Sequence, residues 1–131
     1  MKLNLCYRLP LILFCGFIFW QSSFPSVISQ PLFPHDDKFM HAGAYALMAI
    51  LAARWIQQER KGWSVTKVKL LAMIFTVLYG LSDEIHQAFV PARNASTLDW
   101  AADFLGALIG IWIYGRFLSP TSKKGFPLRK P

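Results

Sequence analysis

LLAMIFTVLYGLSDEIHQAFV, residues 70–90, stands between Lys69 and Pro91, and its reading decides the fold. An α-helix rises about 1.5 Å per residue and must cross about 30 Å of hydrocarbon to span a bilayer. This stretch is long enough only if Asp83 and Glu84 are counted inside the helix. The same condition holds for 98–118, which ends before Pro120 and contains Asp99 and Asp103. Both are therefore expected to be membrane spans that carry carboxylates within or at the edge of the hydrocarbon. Two more apolar runs lie upstream. One covers 9–24, with Pro25, Pro31 and Pro34 breaking any helix beyond it; the other covers 39–56, apolar through Ala53 and closed by Arg54 and the polar stretch 57–61. The expected architecture is all-α, a bundle of four transmembrane helices in one domain spanning 1–131, with a basic tail at 119–131.

The composition agrees. Hydrophobic residues make up 54% of the 131 and charged residues 16%, too little polar surface to coat a soluble globule. The net charge of +7 lies in blocks between apolar runs, not in the continuous stripe that tracking a phosphate backbone needs, so no nucleic-acid partner is expected. Cys6 and Cys15 both belong to the first segment and suggest packing residues, not a disulfide framework. Phe14 before Cys15 is a poor lipoprotein cleavage position, so no lipid anchor is inferred. Lys2 and Arg8 ahead of an apolar core resemble a signal peptide, but no small-x-small site follows Trp20, and a retained signal anchor is expected.

Basic residues orient the bundle. Twelve of the 14 Lys and Arg fall in the N-terminal segment (Lys2, Arg8), in the second connection (Arg54, Arg60, Lys61, Lys67, Lys69) or in the tail region (Arg116, Lys123, Lys124, Arg129, Lys130). Only Lys38 and Arg93 fall in the first and third connections. By the positive-inside rule both termini are cytoplasmic and the chain is a multi-pass protein of the inner membrane. Acidic residues show the reverse bias: Asp36, Asp37, Asp83, Glu84, Asp99 and Asp103 lie toward the outer face, Glu59 toward the inner.

Small residues mark where helices can approach. Ala42, Ala46, Ala49 and Ala53 recur on one helical face, and Gly106 with Gly110 makes a G-x-x-x-G pair. The polar residues share a depth. His41 is 13 residues from Arg54, Asp83 is 14 from Lys69 and Asp103 is 13 from Arg116, which puts each about 20 Å above the cytoplasmic interface. They also share faces: Asp37, His41 and Tyr45 at successive i, i+4 steps, Asp83 with Gln87, Glu84 with Gln87, and Asp99 with Asp103. His86 points about 100° away from Gln87. Ionisable groups inside a membrane cost about 2.5 to 3.5 kcal/mol each at a helix centre, so a cluster of them is a functional-site hypothesis by default. These carboxylates are expected to share protons or to pair with Lys38, His41, His86 or Arg93, whose planar fork suits a carboxylate or an anionic ligand.

Three motifs in order, DKFMHAGAY (37–45), SDEIHQAFVPAR (82–93) and DWAADFLGALIG (99–110), resemble the VanZ-like family of bacterial membrane proteins. The resemblance covers the last three spans. Carried over by position, it implies Asp37, Lys38, His41, Tyr45, Glu84, Gln87, Arg93 and Asp99 as the family's polar residues and Gly106 as its packing glycine. Two departures stand out: Ala92 replaces the glycine usual before the arginine, and Asp103 stands where many relatives have asparagine, which adds a carboxylate. The family's named member is associated with low-level resistance to teicoplanin, so the resemblance implies an envelope role more than a reaction.

The binding set expected from spacing and resemblance together is Asp37, Lys38, His41, Tyr45, Asp83, Glu84, Gln87, Arg93, Asp99 and Asp103, an outward pocket for a lipid headgroup, a cell-wall precursor or a glycopeptide-type antibiotic. The partners expected are the bilayer itself and an anionic envelope lipid or cell-wall precursor. A second reading is an intramembrane enzyme with Glu84 or His41 as acid or base, though no nucleophile elbow, P-loop or H-E-x-x-H is present. A third is a polar network that only packs the helices. His41, His86, Asp83 and Glu84 are residue types that suit zinc, but their spacing matches no compact ligand motif, and no metal or cofactor is expected.

Overall fold

The structure, a computed structural model, describes residues 2–25, 35–91 and 93–120, with the side chains of 2–4 excepted. Pro31, Pro34, Ala92 and the tail lysines and arginine lie outside the described residues. Four helices follow one another: α1 (Lys2–Ser22), α2 (Asp36–Glu59), α3 (Val65–Ala88) and α4 (Thr97–Ile113), the last running into a π-helical turn at Tyr114–Leu118. All four are long and apolar enough to cross a membrane.

Each helix is longer at its start than its apolar run, for identifiable reasons. Lys2–Ser22 begins before Leu9 because its first turns have tertiary partners: Arg8 Nε donates to Glu59 at 2.7 Å, and Arg54 lies over the Tyr7 ring at 5.4 Å. Pro10 is accommodated inside it, as prolines are in membrane helices whose neighbours satisfy the freed carbonyl. Asp36, Asp37 and Lys38 form the first turn of α2 instead of a loop. Two carboxylates there complement the helix dipole, and Asp36 Oδ1 accepts from the Asp37 N–H at 2.8 Å. Ser64 caps α3 by accepting from the Lys67 N–H at 3.3 Å, which starts that helix five residues before Leu70. The run at 98–118 divides at Tyr114, where the backbone widens into the π turn and the Ser119 N–H bonds the Tyr114 carbonyl at 2.9 Å.

The bundle buries polar residues beside small and apolar ones and turns large apolar side chains outward. On α3, Leu70, Ile74, Leu78, Leu81 and Ile85 form one exposed stripe, while Val68, Ala72, Thr76, Gly80, Asp83, Glu84 and Gln87 form the buried one. A soluble helix would place these the other way round. A surface of large aliphatic side chains is solvated at low cost by hydrocarbon, and the interior can then hold what hydrocarbon rejects. Between helices in lipid there is little hydrophobic drive, so association depends on close van der Waals contact at small residues.

That contact is made between α2 and α4, which share the most extensive interface of the bundle. A Cβ added at Gly106 would sit 2.1 Å from the Ala42 carbonyl oxygen, and one at Gly110 would sit 2.2 Å from that of Ala46. The two backbones therefore touch, as the G-x-x-x-G pair and the alanine face require. Ala49, Ala52 and Ala53 continue the buried seam, with Met48, Val68, Ala72 and Tyr114 filling the core around it. α1 lies against α2 and α3 on the other side.

Candidate functional site

The glycine seam sets which polar residues meet. With α2 and α4 parallel and Ala42 seated on Gly106, residues about 62 positions apart in sequence face each other one turn away. His41 Nδ1 lies 2.9 Å from Asp103 Oδ1, and Lys38 Nζ pairs with Asp99 Oδ1 while also reaching Asp37 Oδ2 at 2.6 Å. α3 closes the third side. The Tyr45 hydroxyl donates to Asp83 Oδ2 at 3.2 Å, Gln87 Nε2 donates to the same oxygen at 3.1 Å, and Glu84 Oε2 accepts from the Ser96 N–H at 2.9 Å. The cluster thus sits where the N-terminal ends of α2 and α4 meet the C-terminal end of α3.

Burial is graded along it. The Asp37 side chain is 56% exposed, Lys38 26%, His41 19%, Asp99 11% and Asp103 0%, so the cluster opens at the Asp37 end and closes at Asp103. Two buried carboxylate oxygens, Glu84 Oε1 and Asp103 Oδ2, have no hydrogen-bond partner among the described residues. Asp103 Oδ2 lies against Gly80, where an added Cβ would come within 3.0 Å of it and within 3.1 Å of the Tyr45 ring. Charge is unbalanced as well. Asp37, Asp83, Glu84, Asp99 and Asp103 face one lysine and one imidazole. One donor atom each from His41, Glu84 and Asp99 lies within 4.8 Å of the others.

Of the residues expected in the pocket, nine converge here and one does not share their contacts. The Arg93 guanidinium donates from Nε to the Phe24 carbonyl at 2.8 Å and from Nη2 to the Gln21 carbonyl at 2.9 Å. It therefore caps the C-terminal end of α1, where orphan carbonyls need donors, and holds no carboxylate among the described residues. His86 faces α1 too, stacked on Phe19 with ring centroids 4.6 Å apart. Asp36 is buried beside the cluster at the start of α2.

Three contributors were not singled out by spacing. Ser22, from the end of α1, accepts from Gln87 Nε2 at 3.4 Å, which makes the first helix a wall of the cluster. Ser96 supplies the N–H that holds Glu84, and the sequence did signal it: Ser96 with Asp99 three residues on is a helix-start pattern. Gly80 makes room for Asp103 and Tyr45, and a lone glycine in a helix carries no such message by itself.

A family model described as VanZ/LLP1 matches residues 7–118. No curated protein and no solved structure matches the chain.

Proposed function

We propose that this chain, which belongs to the VanZ/LLP1 family, is a multi-pass protein of the bacterial inner membrane whose polar cluster faces outward and receives the polar part of an envelope molecule. The ligand class is a lipid headgroup, a cell-wall precursor or the polar core of a glycopeptide-type antibiotic. Lys and Arg enriched at the opposite ends of the helices support the orientation.

One observation carries the pocket reading above a purely structural network. Glu84 is only 6% exposed, yet Oε1 has no partner among the described residues. A packing network evolved for its own stability would satisfy such a group, because a buried acceptor left unpaired costs about 1 to 3 kcal/mol, more when charged. A ligand that donates to it would supply the missing interaction. Expression of the wild type and of Glu84→Gln in a susceptible strain tests this. The wild type is expected to shift teicoplanin susceptibility, and Glu84→Gln to reach the same membrane abundance without the shift. A variant that keeps the full effect would remove the pocket from the function.

A further inference from the structure

His41, Glu84 and Asp99 come from three different helices, and each is held in place by a neighbour that leaves it a coordinating atom. His41 gives Nδ1 to Asp103 Oδ1 at 2.9 Å, which leaves Nε2 as the ring nitrogen without a hydrogen bond among the described residues. Glu84 gives Oε2 to the Ser96 N–H at 2.9 Å, which leaves the buried Oε1 unpartnered. Asp99 is paired through Oδ1 with Lys38, which leaves it a second oxygen. We propose that these three side chains form a binding site for a divalent transition-metal ion, with Asp103 as the positioning residue behind His41.

The geometry and the chemistry agree on the class of ion. Two ligands on opposite sides of an ion at about 2.1 Å span about 4 Å. One potential donor atom of each side chain lies within 4.8 Å of the other two, and a triangle of that size closes onto such a centre by shifts of under an ångström at each side chain. Imidazole with two carboxylates suits zinc, manganese or ferrous iron better than magnesium or calcium, which take oxygen donors. A carboxylate on the second nitrogen of a ligating histidine is the arrangement that fixes its tautomer and raises its basicity. The charge imbalance points the same way. Five carboxylates surround Lys38 and one imidazole, and a divalent ion would take the place of the protons that so many carboxyls must otherwise share. Lys38 then acts as a placeholder: it already holds Asp37 at 2.6 Å and can remain there when Asp99 turns to the metal.

Three protein ligands leave further coordination positions open, as in metal sites that take water or a substrate oxygen. An acid-rich pocket would repel the phosphate of an anionic headgroup, whereas a bound metal would accept it. This use of the metal rests on the headgroup-pocket reading, but metal binding itself is measured without any headgroup.

The test uses the full chain in nanodiscs of zwitterionic lipid, stripped with a chelator and titrated with Zn2+ by calorimetry and with Co2+ by visible absorption. One equivalent is expected to bind, and X-ray absorption at the zinc edge is expected to show a single imidazole with oxygen donors. His41→Ala and Glu84→Gln should each weaken binding by at least about tenfold. Asp103→Asn should weaken it by about 10- to 100-fold, as outer-shell partners do. Asp36→Asn, which removes a neighbouring carboxylate outside the binding set and keeps an oxygen to accept from the Asp37 N–H, should change affinity by less than about threefold. Absence of saturable binding by the wild type would overturn the proposal, as would an edge spectrum without imidazole, and these hold even if a variant fails to fold. Equal loss in Asp36→Asn and Glu84→Gln would also overturn it, since that is diffuse attraction to acidic groups. Failure here leaves the susceptibility result standing, and failure there leaves the titration standing.

Discussion

Arg93 shows how much a single residue's role depends on atoms that sequence does not distinguish. Its two bonds to the Gln21 and Phe24 carbonyls tie the loop before α4 to the end of α1. Hydrogen bonds to a charged donor contribute about 1.5 to 3 kcal/mol each. Arg93→Ala is therefore expected to lower the melting temperature of the purified protein, and Arg93→Lys to recover little of it, because an ammonium lacks the planar fork that reaches two carbonyls. A melting curve unchanged by Arg93→Ala would mean the cap contributes nothing. Spacing alone identified His41, Tyr45, Asp83, Glu84, Gln87, Asp99 and Asp103 as neighbours, since i, i+4 stripes on helices of known rise fix both depth and face. Arg93 fell outside that logic because it is in a connection, where no periodicity sets direction, and because backbone carbonyls have no sequence signature. The pairing of His41 with Asp103 and of Tyr45 with Asp83 was likewise open, since depth says which residues are level but not which ones touch.

At the scale of the helix, the G-x-x-x-G pair does more than allow close packing: it fixes the register that brings His41 to Asp103 and Lys38 to Asp99. The Ala42 backbone that faces Gly106 cannot swing aside as a side chain would. Gly106→Ala is therefore expected to reduce membrane abundance and thermal stability markedly, and Gly106→Leu to prevent accumulation. Gly43 supplies the control. It lies one residue from Ala42, a Cβ there would meet nothing within 4 Å, and alanine is favoured over glycine inside a helix by about 1 kcal/mol. Gly43→Ala should leave stability unchanged or slightly raised; equal damage from both substitutions would refute the seam. Both faces of this contact were legible as small-residue patterns. The early starts of α1, α2 and α3 were not, because hydropathy marks where a chain becomes apolar and not where capping groups and ion pairs let a helix begin.

For the whole molecule, the account joins an outward apolar surface, a basic end and an acidic end into one membrane protein. Reporter fusions after Gly62 and after Pro120 should both score cytoplasmic, and a periplasmic score at either would reverse the bundle. The central claim is that the acidic end is kept for a ligand and not for stability. Proteins commonly carry destabilising groups at functional sites, and neutralising one of them then stabilises the fold. A buried polar group that exists for packing instead costs about 1 to 3 kcal/mol when its interaction is lost. Glu84→Gln separates the two, since its amide oxygen can still accept from the Ser96 N–H while the ionisable carboxyl is gone. The most direct measurement is the melting temperature of Glu84→Gln against wild type in nanodiscs with chelator present. The expected result is an equal or higher melting temperature for the variant. A fall in melting temperature, with the Ser96 bond kept, would show that the Glu84 carboxyl itself holds the helices together, and would contradict the claim that it is kept for a ligand.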